Sequence, residues 1–180
     1  MLPASASRFD PRSDHELDDS EVRGLTHHFK IDLDTRNVCV CIRPRVRIDD
    51  LPYTVHTNRE LALMLAGTKP LAAFIGEYPP NPEVEDIPER KFEPYVRSGR
   101  FVKREVICPE TGRDSRELGL RRVLYAQPDQ QWRIDAYLLL WDTASKSGWN
   151  EGFERMEGTL LGYEDWQNDA YIEMSFGSKR

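Results

Sequence analysis

Three acidic residues stand at positions from which they could hold a catalytic metal ion. Glu77 follows the apolar run 71–75, and active-site acids often lie at the end of a buried strand. Asp135 and Asp142 share one face of a predicted helix, about two turns or ~10 Å apart. A single metal ion cannot bind both Asp135 and Asp142 at that distance without other ligands. The candidate magnesium pair is therefore Glu77 with Asp135. We favour ordinary solvated side chains at these positions, because no metal-binding motif accompanies them.

Cysteine and histidine side chains offer a second kind of metal site. Cys39 and Cys41 are two apart in a predicted strand, so both thiols point to one face, and His27, His56 or Cys108 could complete a zinc site. C-x-C in a strand is not the usual chelating spacing, and we favour small buried residues here. His27 falls on the apolar face of its strand, where histidine is more often a core residue than a catalyst. Without a nucleophile motif or a phosphate-binding glycine loop, the sequence predicts no cofactor.

Acidic and basic residues are segregated along the chain. Residues 149–173 contain seven acids and one base, whereas residues 90–122 contain ten bases and five acids. The second stretch includes a predicted β-hairpin, 97–122, called the basic hairpin below. Its candidate binding residues are Arg100, Lys103, Arg104 and Arg122.

Two interpretations of this charge pattern compete. The basic hairpin could contact nucleic-acid phosphates, with Phe101 and Tyr125 stacking on bases. Alternatively, the two regions complement each other within the molecule or match a protein partner. We favour charge complementarity and protein contact, because the formal net charge of the chain is −6 and nucleic-acid modules usually have a stronger basic balance.

Two of the four tryptophans are candidate contact residues. Trp149 and Trp166 fall at the ends of predicted C-terminal helices, where part of each ring can stay exposed. Tryptophan is prominent among interface hot spots. An equally good interpretation is that both rings cap the core.

Strands are predicted where apolar residues alternate or form short runs. Alternation indicates a strand at 25–33, and apolar runs indicate buried strands at 38–42 and 71–75. Stretches 100–107 and 118–126 are the two predicted strands of a hairpin, and the basic hairpin 97–122 covers the first strand and the beginning of the second. Together these segments predict a small mixed sheet of about five strands.

Helix signals separate and follow the strands. Thr57 and Glu60 match a capping box, which predicts a helix beginning there. Residues 87–98 look helical but contain Pro94, which predicts a kink or two short helices. Asp129 is the predicted N-cap of the next helix.

The C-terminal portion, 129–174, is predicted to be helical. The 129–147 helix is apolar around most of its circumference, so we expect it to be nearly surrounded and to be the central core helix. Gly148 and Gly162 end helices, and Asn150 and Asp165 cap the two that follow.

Composition limits what this chain of 180 residues can be. Residues 1–24 are polar and predicted to be a disordered tail, and 25–180 to be a single α+β domain. We expect no transmembrane helix, since no apolar run is long enough, and no secretory signal. Three cysteines in such a chain favour reduced thiols and a cytoplasmic location.

These features lead us to expect a small interaction protein that binds a protein partner. It would be a regulator, an inhibitor or an accessory protein of the kind carried by bacterial mobile elements. The first alternative is a metal-dependent hydrolase or nuclease, with Glu77 and Asp135 as ligands and Arg104 or Arg122 on phosphate. The second is a nucleic-acid-binding protein that acts through the basic hairpin.

Overall fold

A computed structural model describes residues 46–83, 87–109 and 119–177, all within the compact unit Arg36–Arg180. The strands are β1 (Leu71–Tyr78), β2 (Val102–Pro109) and β3 (Gly119–Ala126). The helices are α1 (Glu60–Leu65), α2 (Glu89–Arg97), α3 (Trp132–Ser147), α4 (Glu151–Leu161) and α5 (Asp165–Phe176), with 3-10 turns at Ile48–Asp50 and Pro128–Gln130. The protein is therefore α+β. None of these helices is both long and apolar enough to cross a membrane.

Several sequence predictions fall outside the described residues. These are the tail 1–24 and the strands at 25–33 and 38–42. The same holds for the zinc candidates His27, Cys39 and Cys41.

The described sheet has three strands in the order β1-β3-β2, and every pair is antiparallel. The predicted hairpin is confirmed, since β2 pairs with β3. The predicted mixed sheet of about five strands is not confirmed in this part of the chain. Because β3 lies between β1 and β2 and runs opposite to both, no parallel pair arises among the three.

Both faces of the sheet are covered. Leu124 and Ala126 of β3 pack with α3 and α4, whereas Val123 and Tyr125 point to the other face. There Tyr125 stacks on Phe92 of α2, with the ring centroids 4.2 Å apart. The alternation of side chains along β3 therefore supplies two cores and places the sheet between two helical layers.

Helix α3 buries one face and is not surrounded as predicted. Its buried residues recur at helical spacing: Ile134, Tyr137, Leu140, Trp141 and Ala144. Leu139 remains 66% exposed and Trp132 55% exposed, so the apolar character of the sequence exceeds the surface that the fold covers. The prediction assumed that every apolar residue of α3 is buried. It is wrong because the sheet and α4 cover only one side of this helix.

Helix ends show which local signals were reliable. Gly148 and Gly162 have φ angles of 87° and 88° and end α3 and α4 as predicted. Asn150 caps α4, its side chain accepting a hydrogen bond from the Phe153 amide at 3.1 Å. For α5 the cap is Glu164 rather than the predicted Asp165.

Three other local predictions are wrong. The Thr57–Glu60 capping box does not form, because α1 begins after Arg59. Asp129 lies in a 3-10 turn and does not cap α3. Pro94 lies inside the single helix α2, so the alternative of two short helices is wrong, and the Ser98 amide bonds the Pro94 carbonyl at 3.1 Å.

Adjacent leucines of α3 provide a test of this one-sided burial. Leu140 is 3% exposed. We expect Leu140→Ala to lower the free energy of unfolding by about 2–5 kcal/mol, because it leaves a cavity. Leu139→Ala, one residue away on the open side, should change it by less than about 0.5 kcal/mol. Urea denaturation of both variants measures the difference, and equal losses would show that Leu139 is covered after all.

Candidate functional site

Two carboxylates of α4 lie almost out of contact with solvent. Glu157 is 5% exposed, and its Oε1 atom accepts hydrogen bonds from the Tyr137 hydroxyl at 2.9 Å and the Trp141 indole at 3.2 Å. Glu154, one turn earlier, is also buried and accepts a hydrogen bond from the Trp149 indole. A buried carboxylate needs such donors, so these bonds fix α4 against α3 and the segment between them.

Helices α4 and α5 approach each other closely at Gly158. A Cβ atom at Gly158 would lie 1.9 Å from the Oδ1 atom of Asn168, which is itself buried. Glycine is required here for the approach of the two helices. The paired helices then present one wall to the segment 46–57.

Lys69 is buried beside this wall. It is 2% exposed, donates a hydrogen bond to the Leu161 carbonyl at 3.2 Å and lies 3.3 Å from Nδ1 of His56. Burial lowers the pKa of Lys69 to about 8. Burial, followed by the positive charges of Lys69 and Arg59, lowers the pKa of His56 to about 4. His56 is therefore neutral near pH 7, and its Nδ1 can accept a hydrogen bond from the Lys69 ammonium group.

A row of aromatic rings leads from this lysine to the surface. His56 stacks on Tyr163 with ring centroids 3.9 Å apart, and its amide donates to the Tyr163 hydroxyl at 3.0 Å. Tyr53 contacts Tyr163 at 5.9 Å and, edge to face, Trp166 at 5.5 Å. Burial, with the neighbouring Tyr163, raises the pKa of Tyr53 to about 12.

These features enclose a cavity of about 260 Å³ between the segment 46–57 and helices α4 and α5. Its polar lining includes both buried carboxylates of α4 and three tyrosines, Tyr53, Tyr163 and Tyr171. The rest of the wall is largely apolar. This combination makes it the candidate binding site of the described chain.

The candidate magnesium pair is not brought together. Asp135 forms an ion pair with Arg104, which stands opposite Leu124 and, through it, opposite Ala73 in the sheet. Glu77 lies four residues further along β1, roughly 13 Å at ~3.3 Å per residue. The two carboxylates therefore do not share a site.

The remaining metal candidates have other surroundings. Asp142 forms an ion pair with Lys146, whose Nζ lies 2.6 Å from its Oδ2. Cys108 is a half-buried free thiol on β2, and His56 contacts Lys69 as described above. Across 46–83, 87–109 and 119–177, no three histidine, cysteine or carboxylate side chains are grouped to hold a metal ion.

Two cations of the basic hairpin, Lys103 and Arg121, form ion pairs within the molecule. Lys103 and Arg121 both contact Glu89 of α2, the Lys103 ammonium at 2.5 Å. Arg121 also contacts Glu105, with 2.7 Å between Nε and Oε1. The acids that neutralise this face therefore come from α2 and from β2 itself.

The other hairpin candidates are also engaged. Arg100 donates to the Leu65 carbonyl at 2.9 Å, and the Arg122 guanidinium lies 4.3 Å from the centre of the Trp141 ring. Arg104 pairs with Asp135 of α3. Little of the positive charge seen in the sequence is thus left without a neighbouring acid, carbonyl or ring in this part of the structure.

The tryptophan candidates separate into two roles. Trp149 is half-buried and packs on Trp141, with ring centroids 5.1 Å apart. Trp166 is 49% exposed at the start of α5. Only Trp166 is placed to contact another molecule.

Sequence reasoning missed Lys69 and the two buried glutamates as site residues. Glu154, Glu157 and Leu160 recur every three residues, a spacing that puts the acids on the buried stripe of α4. That spacing could have identified the acids. No local signal marks Lys69, because its burial depends on residues distant in the chain.

Comparison of this chain with known protein families, with curated proteins and with solved structures found no match.

The buried lysine predicts a pH dependence of stability. The pKa of Lys69 falls from 10.5 to about 8 on folding, so between these values the unfolded chain holds a proton that the native protein has lost. The free energy of unfolding should therefore rise with pH across this window, by at most about 1.4 kcal/mol per pH unit. Below about pH 8 the contribution of Lys69 to the free energy of unfolding does not change with pH.

Replacement of the lysine isolates the effect. Lys69→Met should lack this rise, whereas Lys146→Met, at an exposed lysine of α3, should keep it. Urea denaturation of the wild type and both variants at several pH values from about 7.5 to about 10 measures the slopes. Parallel curves for the wild type and Lys69→Met would contradict the assignment.

Proposed function

We propose that this protein binds a basic segment of a protein partner through the outer face of α4 and α5. The observation that carries the proposal is that exposed apolar side chains and exposed acids share these two helices. Trp166, Met156 and Met174 are all exposed, although the inner sides of both helices are packed. Apolar anchors within a polar rim are typical of protein interfaces.

The charge of this face selects the partner. Its exposed acids are Glu151, Glu164, Asp165, Asp169 and Glu173. Arg155 is the one base in the sequence 149–177, and its guanidinium lies 2.7 Å from Asp169. A negative face favours encounters with positive segments and repels acidic ones. We therefore propose a partner segment in which lysine or arginine alternates with apolar residues.

Trp166 is the proposed anchor because its ring is already held in place. Its edge-to-face contact with Tyr53 and the hydrogen bond from its indole to Glu164 at 2.7 Å restrict the side chain. Binding then costs little further side-chain entropy. Such a ring is well suited to be a hot spot.

The protein would act as a small regulator, inhibitor or accessory protein of the cytoplasm. Partner binding is preferred to nucleic-acid binding because the hairpin cations that the structure describes already contact acids, carbonyls or rings of the same molecule. It is preferred to metal-dependent hydrolysis because Glu77 and Asp135 lie apart.

An array of synthetic peptides tests the proposal without a known partner. Peptides bound by the full chain should be enriched in lysine and arginine next to apolar residues. Trp166→Ala should weaken the best of them by about 30-fold or more, the effect expected of a hot spot. Raising the salt concentration from about 50 to about 200 mM should also weaken peptide binding to the wild type. Fluorescence anisotropy with labelled peptides gives the dissociation constants.

Trp132→Ala is the matched control. Trp132 is a similarly exposed tryptophan on α3, with the Arg133 guanidinium 4.8 Å from its ring centre, and its loss should leave peptide binding unchanged. The proposal fails if bound peptides show no excess of basic residues, or if both tryptophan variants behave alike.

A further inference from the structure

We propose that Arg122 and its neighbours on the sheet bind a carboxylate that carries a short apolar chain. Arg122 lies on β3, and its guanidinium lies 4.3 Å from the centre of the Trp141 ring of α3. Its side chain therefore points to the face of the sheet that packs on α3. The site shares no residue with the outer face of α4 and α5, so it stands or falls independently of the proposed docking.

Arg122 differs from the other hairpin cations that the structure describes. Each of the others contacts an acid or a backbone carbonyl: Arg97, Arg100, Lys103, Arg104 and Arg121. Arg122 forms no ion pair and no side-chain hydrogen bond within this part of the chain, and its buried Nε atom has no hydrogen-bond partner. Its two terminal nitrogens are not among the buried atoms, so a ligand can reach them from solvent.

This arginine is held in place while its hydrogen-bond donors are unused. The Trp141 ring attracts the positive charge but does not accept the N–H groups as a carboxylate does. Donors that are shielded from water and lack a partner are rare in folded proteins, because their lost hydration is not replaced. An arginine can stack on a ring and bind a carboxylate along its edge at the same time. Trp141 serves only as the support, since its own indole already donates to Glu157.

Apolar side chains flank the guanidinium on both neighbouring strands. Ile75 of β1 and Val106 of β2 stand directly opposite Arg122, so all three side chains point to the same face. Ile75 is 41% exposed and Val106 is half-buried. A ligand whose carboxylate meets the terminal nitrogens of Arg122 can therefore place an apolar chain on Ile75. Burial of that chain and of Ile75 adds to the attraction between the charges.

The charges on this face favour a ligand with a single negative charge. Arg104, the other cation on this face of the described sheet, already pairs with Asp135. Glu77 is exposed and follows Ile75 by two residues on the same face. A polyanion would meet the charge of Glu77 without finding a second unpaired cation in this part of the sheet. One carboxylate, by contrast, is balanced by Arg122 alone.

The probe for this inference is n-butyrate, with uncharged n-butyramide as its control. In NMR titrations of the labelled full chain at low salt, butyrate should give saturable shifts of the Ile75 and Val106 amides and of the Arg122 Nε–H signal. Butyramide should not. Arg122→Gln should weaken butyrate binding by about tenfold or more, because it removes a charge-assisted pair of hydrogen bonds. Arg97→Gln, at an exposed arginine of α2, is the matched control and should bind as the wild type does.

A second variant covers the case in which Arg122→Gln is poorly folded. Ile75→Glu places a tethered carboxylate directly opposite Arg122, at a position that is already exposed. This carboxylate should compete with butyrate and weaken its binding by about tenfold or more through its high local concentration. Ile75→Gln has the same length without the charge, so it should bind butyrate more tightly than Ile75→Glu does.

A further pair of probes distinguishes two sources of the carboxylate. N-acetylglycylvaline ends in a carboxylate beside an apolar side chain, as a protein C-terminus does, and its C-terminal amide is the uncharged control. Tighter binding of this peptide than of butyrate identifies a chain terminus as the ligand. Butyrate binding that is equal or tighter identifies a free small acid.

Trp166→Ala should leave butyrate binding unchanged, so failure of the docking proposal and failure of this inference give different results. The inference is overturned if butyrate gives no saturable shift or if butyramide gives the same one. It is also overturned if Arg97→Gln weakens binding as much as Arg122→Gln does, or if neither Arg122→Gln nor Ile75→Glu weakens it.

Discussion

Burial of β3 on both faces is the constraint on which the rest of this structure depends. Val123, Leu124, Tyr125 and Ala126 are consecutive, and all four are buried. Successive side chains of a strand point to opposite faces, so a strand of this kind is stable only between two apolar layers. Helices α1 and α2 form one layer, and α3 and α4 form the other. The positions of the acidic helices thus follow from a requirement of the central strand.

Polar groups then determine how the C-terminal layer is assembled. An apolar stripe alone would allow α4 to slide or rotate on α3, because hydrophobic contact has little directionality. The two hydrogen bonds to Glu157 specify one arrangement, since moving α4 would leave a buried carboxylate without its donors. Gly158 adds a second restriction by accepting the Asn168 side chain at close range. The cavity is a consequence of both contacts, and its acidic wall is also part of the structural support.

The elements of the fold were predictable where the sequence signal was local. The candidate site was not predicted, because it depends on residues that are distant in the chain. The strand at 71–75, the hairpin pairing, the glycine ends of α3 and α4 and the Asn150 cap each depend on a few neighbouring residues. The predicted burial of 71–75 on both faces is wrong, because β1 is an edge strand of the described sheet and leaves Ile75 41% exposed. The exposed side of α3 was misjudged because neighbouring elements decide which side of the helix is covered. Trp149 and Trp166 could not be assigned from sequence for the same reason, and the structure places one in the core and one at the surface.

The contacts in the described structure change how the segregated charge of the sequence is interpreted. In the sequence the basic hairpin and the acidic C-terminal stretch are equally prominent. In the described structure the hairpin cations meet Glu89, Glu105 and Asp135, which belong to α2, β2 and α3. These pairs place acids beside three hairpin cations, Lys103, Arg104 and Arg121, whereas the C-terminal acids have Arg155 as their one neighbouring base in the sequence 149–177. Among the described elements, the exposed C-terminal acids and the exposed Trp166 ring thus belong to the same two helices, α4 and α5, and this is the basis of the proposed docking face.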